Sequence, residues 1–248
     1  PRGYMAAYQQ LVAYAQSVYG KDHPAVAKLR LSMVGPRFAL GETVGLMEEL
    51  EASAAIFRAA GPAWKLDLAD TLNNISVVAD AQGDSARAVG LLEQVVAIRR
   101  DAAGARVDPI LGVILGNLAW AYRGRTEFAR ALPVADEGIA MLEAGHAEKP
   151  ADRDIGDALA VALSNRSIHL SDLGRTADAA EAARVLAVRL DELVGPDSPA
   201  AATALISSWV YPLNGGKPAE AEAMVRRAID IRERAYGRDA GATAQARL

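Results

Sequence analysis

The sequence contains no cysteine, and this absence excludes disulfides, thiol nucleophiles, iron–sulfur clusters and thiolate zinc sites together. Aromatic residues are also scarce, at 5% of the 248 residues, although hydrophobic residues make up 51%. The apolar content is therefore mostly alanine, leucine and valine, and alanine and leucine favour helix over strand. We expect an all-helical chain with a core of small and aliphatic side chains.

A block of like charge and a long apolar run are absent as well. The net charge is −4 with both signs interspersed, so no basic surface for nucleic acid is expected. No uninterrupted apolar stretch reaches membrane-spanning length, and no signal peptide is recognisable at Pro1. We expect a fragment of a longer protein, located in the cytoplasm, with no nucleic-acid partner and no membrane insertion.

The feature that the sequence does contain is a repeat with a period near 42 residues. Glycines that follow apolar, charge-spotted runs recur at steps of 41, 43, 41, 50 and 42 residues, at Gly20, Gly61, Gly104, Gly145, Gly195 and Gly237. An apolar residue recurs at steps of 41, 43, 48 and 43, at Leu31, Leu72, Leu115, Leu163 and Ile206. Two independent marks predict five repeats, at approximately 21–61, 62–104, 105–150, 151–195 and 196–237, in one domain over 1–248.

Each repeat contains two helical segments separated by a short break, such as Gly83-Asp84 between 68–83 and 85–104. A small residue follows each break and lets two antiparallel helices approach closely, at Ala88, Ala131, Ala179 and Ala221. One helix pair cannot bury its apolar face alone, so the pairs must stack into a superhelix. We predict about twelve helices: a leading one, five pairs and the start of another at Ala240.

These residues resemble the tetratricopeptide repeat family. The pattern L-x-N-[LI]-[AS] about ten residues before a glycine, with alanine five residues after it, stands here as Leu72-Asn73-Asn74-Ile75-Ser76 with Gly83 and Ala88. It recurs around Asn117 and Asn165. The period and openings such as D-H-P-A-V-A resemble the kinesin-light-chain-like subtype. The resemblance implies a right-handed α-α superhelix, a TPR-like solenoid of about five helix pairs plus a leading helix.

Two repeats depart from the family pattern. In the first repeat Met33 stands where asparagine is expected, and Gly35-Pro36 interrupts the first helix, which we expect to bend or break near Pro36. In the fifth repeat Ser208 replaces the asparagine, and Pro212 lies near the end of the helix.

In this family the first helix of each pair lines the concave groove, and the resemblance therefore implies three rows of groove residues. The asparagine row is Asn74, Asn117 and Asn165, with Ser208 fourth. Three residues further on, the second row is Val77, Trp120, Ile168 and Tyr211. After three more residues, the third row is Asp80, Arg123, Ser171 and Asn214. The spacing of three keeps each set on one side of its helix.

The rows have a physical use in binding an extended peptide. A carboxamide offers two donors and an acceptor, so an asparagine ladder can bind a peptide backbone without specifying its side chains. Trp120 and Tyr211 are typical anchors in a chain so poor in aromatics. Two alternatives remain: the asparagines can instead bond neighbouring helices, and the aromatic residues can belong to the core between repeats.

No constellation for catalysis, metal or cofactor is recognisable. His23, His146 and His169 are far apart in sequence, and we interpret His169 with Asp172 as an exposed pair one helical turn apart. Gly215-Gly216-Lys217 lacks the spacing of a phosphate-binding loop and is interpreted as a turn between helices. The chain is therefore predicted not to be an enzyme.

Three functions remain open at this point. The leading one is a non-catalytic interaction module that binds a peptide or an extended protein segment in its groove. The second, by resemblance, is the sensor or scaffold arm of a larger bacterial signalling enzyme, or a peptide-sensing regulator. The third is a self-associating scaffold whose exposed solenoid ends form a homo-oligomer.

The boundaries between repeats share a motif that ends one helix and begins the next, as in SVYGKDHPAVA at residues 17–27. A glycine that can adopt positive φ ends each second helix there, at Gly20, Gly195 and Gly237. The next helix is predicted to be capped by Asp22, Asp197 or Ser198, with Pro24 or Pro199 in its first turn. His23 is interpreted as a plain loop residue.

Overall fold

The computed structural model describes residues 2–39, 44–196 and 198–236, and over those ranges it contains helices and turns without a strand. The all-α prediction is thereby confirmed. The chain consists of two compact units, Pro1–Gly104 and Ala105–Leu248, which we call the N-terminal and C-terminal units. The boundary falls at Gly104, where the second repeat was predicted to end.

The N-terminal unit contains a leading helix and the first two repeats. Its helices are α1 (Arg2–Tyr19), α2 (Pro24–Leu31), α3 (Val34–Ala39), α4 (Leu46–Ala60), α5 (Lys65–Ala81) and α6 (Ser85–Ala103), with a 3-10 turn at Pro62–Trp64. Helix α1 packs on α2, α2 on α4, α4 on α5 and α5 on α6. These five helices therefore form a continuous series in which each packs on the next.

The C-terminal unit contains the third to fifth repeats. Its helices are α7 (Pro109–Gly124), α8 (Phe128–Glu148), α9 (Arg153–Asp172), α10 (Thr176–Val194), α11 (Pro199–Ser208), α12 (Val210–Asn214) and α13 (Pro218–Tyr236). The pairs α7–α8, α9–α10 and α11–α13 pack internally, and the first helices also contact one another, α7 with α9 and α9 with α11. The first helices of consecutive repeats are therefore neighbours.

The small residue after each break lies at the centre of its helix pair. Ala88, Ala131 and Ala179 have no exposed surface, and Ala221 is 3% exposed. Burial at all four positions agrees with the small residue predicted there. A close approach joins α7 to α8, where a Cβ added to Gly112 would lie 2.8 Å from the carbonyl oxygen of Gly138.

The turn inside each pair from the second repeat onward has one conformation. A residue with positive φ ends the turn, and the residue after it donates its N–H to the carbonyl oxygen five residues earlier, for example Asp84 to Ala79 at 2.9 Å and Lys217 to Pro212 at 2.8 Å. The positive-φ residues are Gly83, Thr126, Gly174 and Gly216. Their steps of 43, 48 and 42 residues define the register of the repeats.

Among the residues that the structure describes, Thr126 is the one residue other than glycine with a positive φ, at 60°. A β-branched residue with positive φ destabilises the folded state by about 1–2 kcal/mol. Glycine removes this strain, but it also raises the conformational entropy of the unfolded chain, which offsets part of the gain. We expect Thr126→Gly to raise the free energy of unfolding by about 1 kcal/mol, measured by urea denaturation. Thr126→Ala keeps the β-carbon and should recover less. Equal stability of the two variants would contradict this account.

Proline interrupts the first helix in both the first and the fifth repeat. The predicted break near Pro36 is confirmed, because α2 ends at Leu31 and α3 begins at Val34. Pro36 has no N–H to donate to the carbonyl oxygen of Ser32, four residues earlier. Pro212 has the same relation to Ser208, the residue at which α11 ends. The two breaks therefore have one cause.

The predicted helix ends and helix caps at the repeat boundaries are confirmed except at His23. Gly20 follows the leading helix α1 and Gly195 follows the second helix α10, with φ of 89° and 84°, and Ser198 caps α11 through its hydroxyl. The N-cap of α2 is His23 rather than Asp22, because the ring Nδ1 accepts the N–H of Ala25 at 3.1 Å. His23 is thus a capping residue, not a plain loop residue. The expectations for Asp197, Gly237 and Ala240 lie outside the described residues.

Candidate peptide-binding groove

One side of α7 is exposed along its length. Ile110 is 53% exposed, Val113 40% and Trp120 38%, and Asn117 between them is half-buried. Spacings of three and seven residues place them on one face of the helix. The opposite side of α7 is buried and packs against α8. We call this exposed side, together with the matching side of α9, the groove face.

The matching side of α9 carries Val161, which is 45% exposed, and the half-buried Asn165 and Ile168. An ion pair joins the two helices at their C-terminal ends: Arg123 Nε donates to Asp172 Oδ2 at 2.5 Å, and Arg123 Nη2 reaches Oδ1 at 3.4 Å. The structure therefore brings the predicted residues of the third and fourth repeats together on one surface.

Trp120 is held in place on this surface from two sides. The guanidinium carbon of Arg123 lies 4.9 Å from the centroid of its ring. The ring of His169 meets it edge-on at a centroid distance of 6.4 Å. A tryptophan that is partly exposed and already fixed loses little entropy when a ligand packs on it.

His169 is buried rather than exposed, so the interpretation of an exposed pair with Asp172 is wrong. The side chain is 1% exposed, and its Nδ1 has no hydrogen-bond partner. Burial lowers the pKa of His169, and nearby Arg123 lowers it further, whereas Asp172 and Asp136 raise it. Asp172 bonds Arg123 instead. His169 is therefore neutral near pH 7.

The stability of the C-terminal unit should consequently fall in acid. Below pH 6.5, the ordinary pKa of histidine, the unfolded chain binds a proton at position 169 that the folded chain does not. This difference lowers the free energy of unfolding by up to about 1.4 kcal/mol per pH unit until the lowered pKa is reached. His169→Val should flatten the stability curve over that window, as urea denaturation at several pH values would measure. Parallel curves for the two proteins would contradict it.

In the N-terminal unit the predicted groove residues lie on α5. Val77 is 40% exposed and Asn74 is half-buried. Asp80 accepts a hydrogen bond from the Ser85 hydroxyl at 2.6 Å, across the turn between α5 and α6. Asp80 therefore stabilises that turn, and this bond occupies one of its carboxylate oxygens.

The part of the chain that the structure describes holds no group of histidine, aspartate or glutamate side chains arranged for a metal ion. Over the same residues, every helix is too short or too polar to cross a membrane.

A sequence model described as tetratricopeptide repeat matches residues 68–109 and 210–239. Those two stretches are similar in sequence to tetratricopeptide repeats. The fold of the chain is similar to BtubC (BKLC) from P. vanneervenii, with 16% identity, a TM-score of 0.72, and coverage of 94% of this chain and 91% of that one. It is also similar to the nearly identical TPR-like repeats of a kinesin light chain protein from Podosopora anserina, with 16% identity and a TM-score of 0.66. That match covers 86% of this chain and 98% of the other.

The comparison with curated proteins finds no match to this sequence. The two structural similarities concern the fold, and they confirm the all-α TPR-like class that the sequence predicts.

The tetratricopeptide register in the fifth repeat differs from the prediction by one residue. Counted back from the positive-φ residue of the turn, the equivalents of Asn165, Ile168 and Ser171 are Ser207, Val210 and Leu213. The residues that the sequence analysis assigned to these places were Ser208, Tyr211 and Asn214. Ser208 is fully buried and Tyr211 is 8% exposed, so these two cannot line a groove, whereas Asn214 is exposed at the end of α12.

Two buried residues, Tyr211 and His169, occupy equivalent positions when the repeats are aligned on the turn. Tyr211 and His169 both stand five residues before the positive-φ residue, where the second and third repeats have Val78 and Ala121. Burial and the negative charge of Asp172 raise the pKa of Tyr211, so its hydroxyl remains protonated.

Sequence reasoning missed four residues of the groove face: Ile110, Val113, Val161 and Asp172. Stepping back from Asn117 by four and seven residues gives Val113 and Ile110, and this helical spacing was the available signal. Asp172 lies four residues after Ile168, on the same side of α9.

Proposed function

We propose that this chain is a non-catalytic protein–protein interaction module that binds a peptide or an extended protein segment along the groove face of α7 and α9. The observation that carries the proposal is Trp120, a partly exposed ring held in place by Arg123 and His169. Rigid aromatic side chains on a surface are typical binding anchors. A fold of stacked helix pairs also supports the proposal, because it presents its first helices side by side.

The polar residues of the groove face supply the second part of the mechanism. Asn117 and Asn165 occupy equivalent positions on neighbouring helices, nine residues before Thr126 and Gly174. Their carboxamides can donate to peptide carbonyls and accept from peptide N–H groups. The ion pair between Arg123 and Asp172 links the C-terminal ends of α7 and α9 at one end of the groove face. Backbone recognition by amides and an apolar contact on Trp120 together suit a segment in extended conformation.

Trp120→Ala, alone and together with Asn117→Ala, tests this proposal. The probes are peptides selected by display of random twelve-residue sequences on the wild-type chain, with affinity measured by fluorescence anisotropy. Loss of a central aromatic anchor costs about 2 kcal/mol, so we expect about 30-fold weaker binding.

Val188→Ala is the matched control, because Val188 is an apolar residue of a second helix, α10, and is 70% exposed. It should leave the affinity unchanged. If the double variant binds every selected peptide as tightly as the wild type does, the groove is not the binding site. Thermal melting of each variant excludes unfolding as the cause.

A further inference from the structure

A pocket of about 370 Å³ opens between the beginnings of α7 and α9, within the C-terminal unit. Ile110, Val113 and Ala158 line it, and Leu142 of α8 contributes to its wall. Ile110 and Val113 are 53% and 40% exposed, so apolar surface faces solvent there. A side chain that enters the pocket would bury this apolar surface, and each Å² buried would stabilise the complex by about 25 cal/mol.

The pocket lies on the groove face and extends it beyond the predicted rows. Val113 is one helical turn before Asn117, and Ala158 is two turns before Asn165, on the same sides of α7 and α9. At 1.5 Å rise per residue, Val113 lies about 10 Å along α7 from Trp120. A peptide of about three extended residues spans that distance, so one bound segment can contact both places.

The charged part of this pocket's lining is mostly acidic. Its lining includes Asp108, Asp152 and Asp154, against one base, Lys149. Asp108 and Asp152 accept the N–H groups of Ile110 and Asp154 as helix caps, whereas Asp154 is exposed.

The acid groups are also crowded. Burial and the charge of Asp154 raise the pKa of Asp157, one turn along α9, although Arg153 lowers it. The local potential is therefore negative, and an incoming positive charge would relieve it.

We infer that this pocket binds an apolar side chain of the partner segment that has lysine or arginine two residues away, on the same side of the extended segment, so that the apolar group packs on Ile110 and Val113 and the cation meets the aspartates. The inference rests on the proposed function, because it names the partner chemistry of the same face. Acidic segments are disfavoured by like-charge repulsion, which gives the face a selectivity that the backbone-binding asparagines cannot give.

The test uses the same selection of random twelve-residue peptides on the full chain. Selected peptides should be enriched in an apolar residue two positions from lysine or arginine. Asp154→Lys should weaken a selected peptide about 5- to 10-fold, and exchanging the peptide's base for glutamate should restore binding to that variant but not to the wild type. Ile110→Ser should weaken binding by a similar factor, and raised salt should weaken the wild-type complex.

Asp230→Lys is the matched control, since it makes the same charge change at an exposed position of α13. It should leave the affinities nearly unchanged. Selected peptides that need Trp120 but show no basic bias and no response to Asp154→Lys overturn the pocket and leave the groove function standing. Failure to select any peptide, or binding insensitive to Trp120→Ala, overturns the groove function and the pocket with it.

Discussion

Ser208→Asp is expected to lower the free energy of unfolding by about 3–5 kcal/mol, because it places a carboxylate where no solvent reaches. Ser208 has no exposed surface, and its hydroxyl lies 2.9 Å from that of Ser164. The hydrogen-bond partners that the pair has are each other and the Ala204 carbonyl oxygen, and these neutral groups cannot compensate a carboxylate charge. Urea denaturation at pH 7.5 measures the effect.

Ser207→Asp is the control, one residue away. Ser207 is exposed on α11, and we expect its stability change to remain below about 1 kcal/mol. The two variants together test the register of the fifth repeat, since the sequence assignment exposes Ser208 and the turn geometry buries it. A larger loss at position 207 than at 208 would show that the register from the turn is wrong.

Gly112→Ala is expected to destabilise the C-terminal unit by about 2–3 kcal/mol. A Cβ at position 112 would lie 2.8 Å from both the Gly138 carbonyl oxygen and the Leu142 Cγ, and the first of these is backbone that cannot rotate away. Helices α7 and α8 would have to separate, which opens the apolar contacts between them. Differential scanning calorimetry of the full chain would show a lower transition temperature.

Gly116→Ala makes the same substitution one turn further along α7, where a Cβ meets no atom within 4 Å. Alanine is a better helix former than glycine by about 1 kcal/mol, so this variant should be more stable than the wild type. The opposite signs of the two changes are the result to look for. Two stabilising changes would mean that α7 and α8 have room at Gly112.

The repeat period and the position of the helix pairs could be predicted from the sequence because both are set by local signals. Glycines that can adopt positive φ and alanines at helix crossings must recur where the geometry recurs, and they did so at Gly83, Gly174, Ala88 and Ala179. The register of the fifth repeat was wrong because it was aligned on Ile206 rather than on the turn. The step of 42 from Gly174 to Gly216 and from Ala179 to Ala221 was already visible in the sequence.

The burial of His169 and the ion pair of Arg123 are harder to predict. A histidine on a helix is ordinarily exposed, and only its equivalence to Val78 and Ala121 places it inside. The bond from Arg123 to Asp172 joins residues 49 apart in sequence, so no local pattern indicates it. Contacts between helices therefore determine which residues of the groove face are available as binding anchors and which stabilise the fold.

The two proline interruptions determine which amide protons exchange first with solvent. The first helix of the first repeat and that of the fifth repeat are each split into two short pieces, α2 with α3 and α11 with α12. Short helical pieces open locally at lower free energy than long ones. Deuterium uptake should therefore begin in α2, α3, α11 and α12, and the uninterrupted α5, α7 and α9 should exchange last.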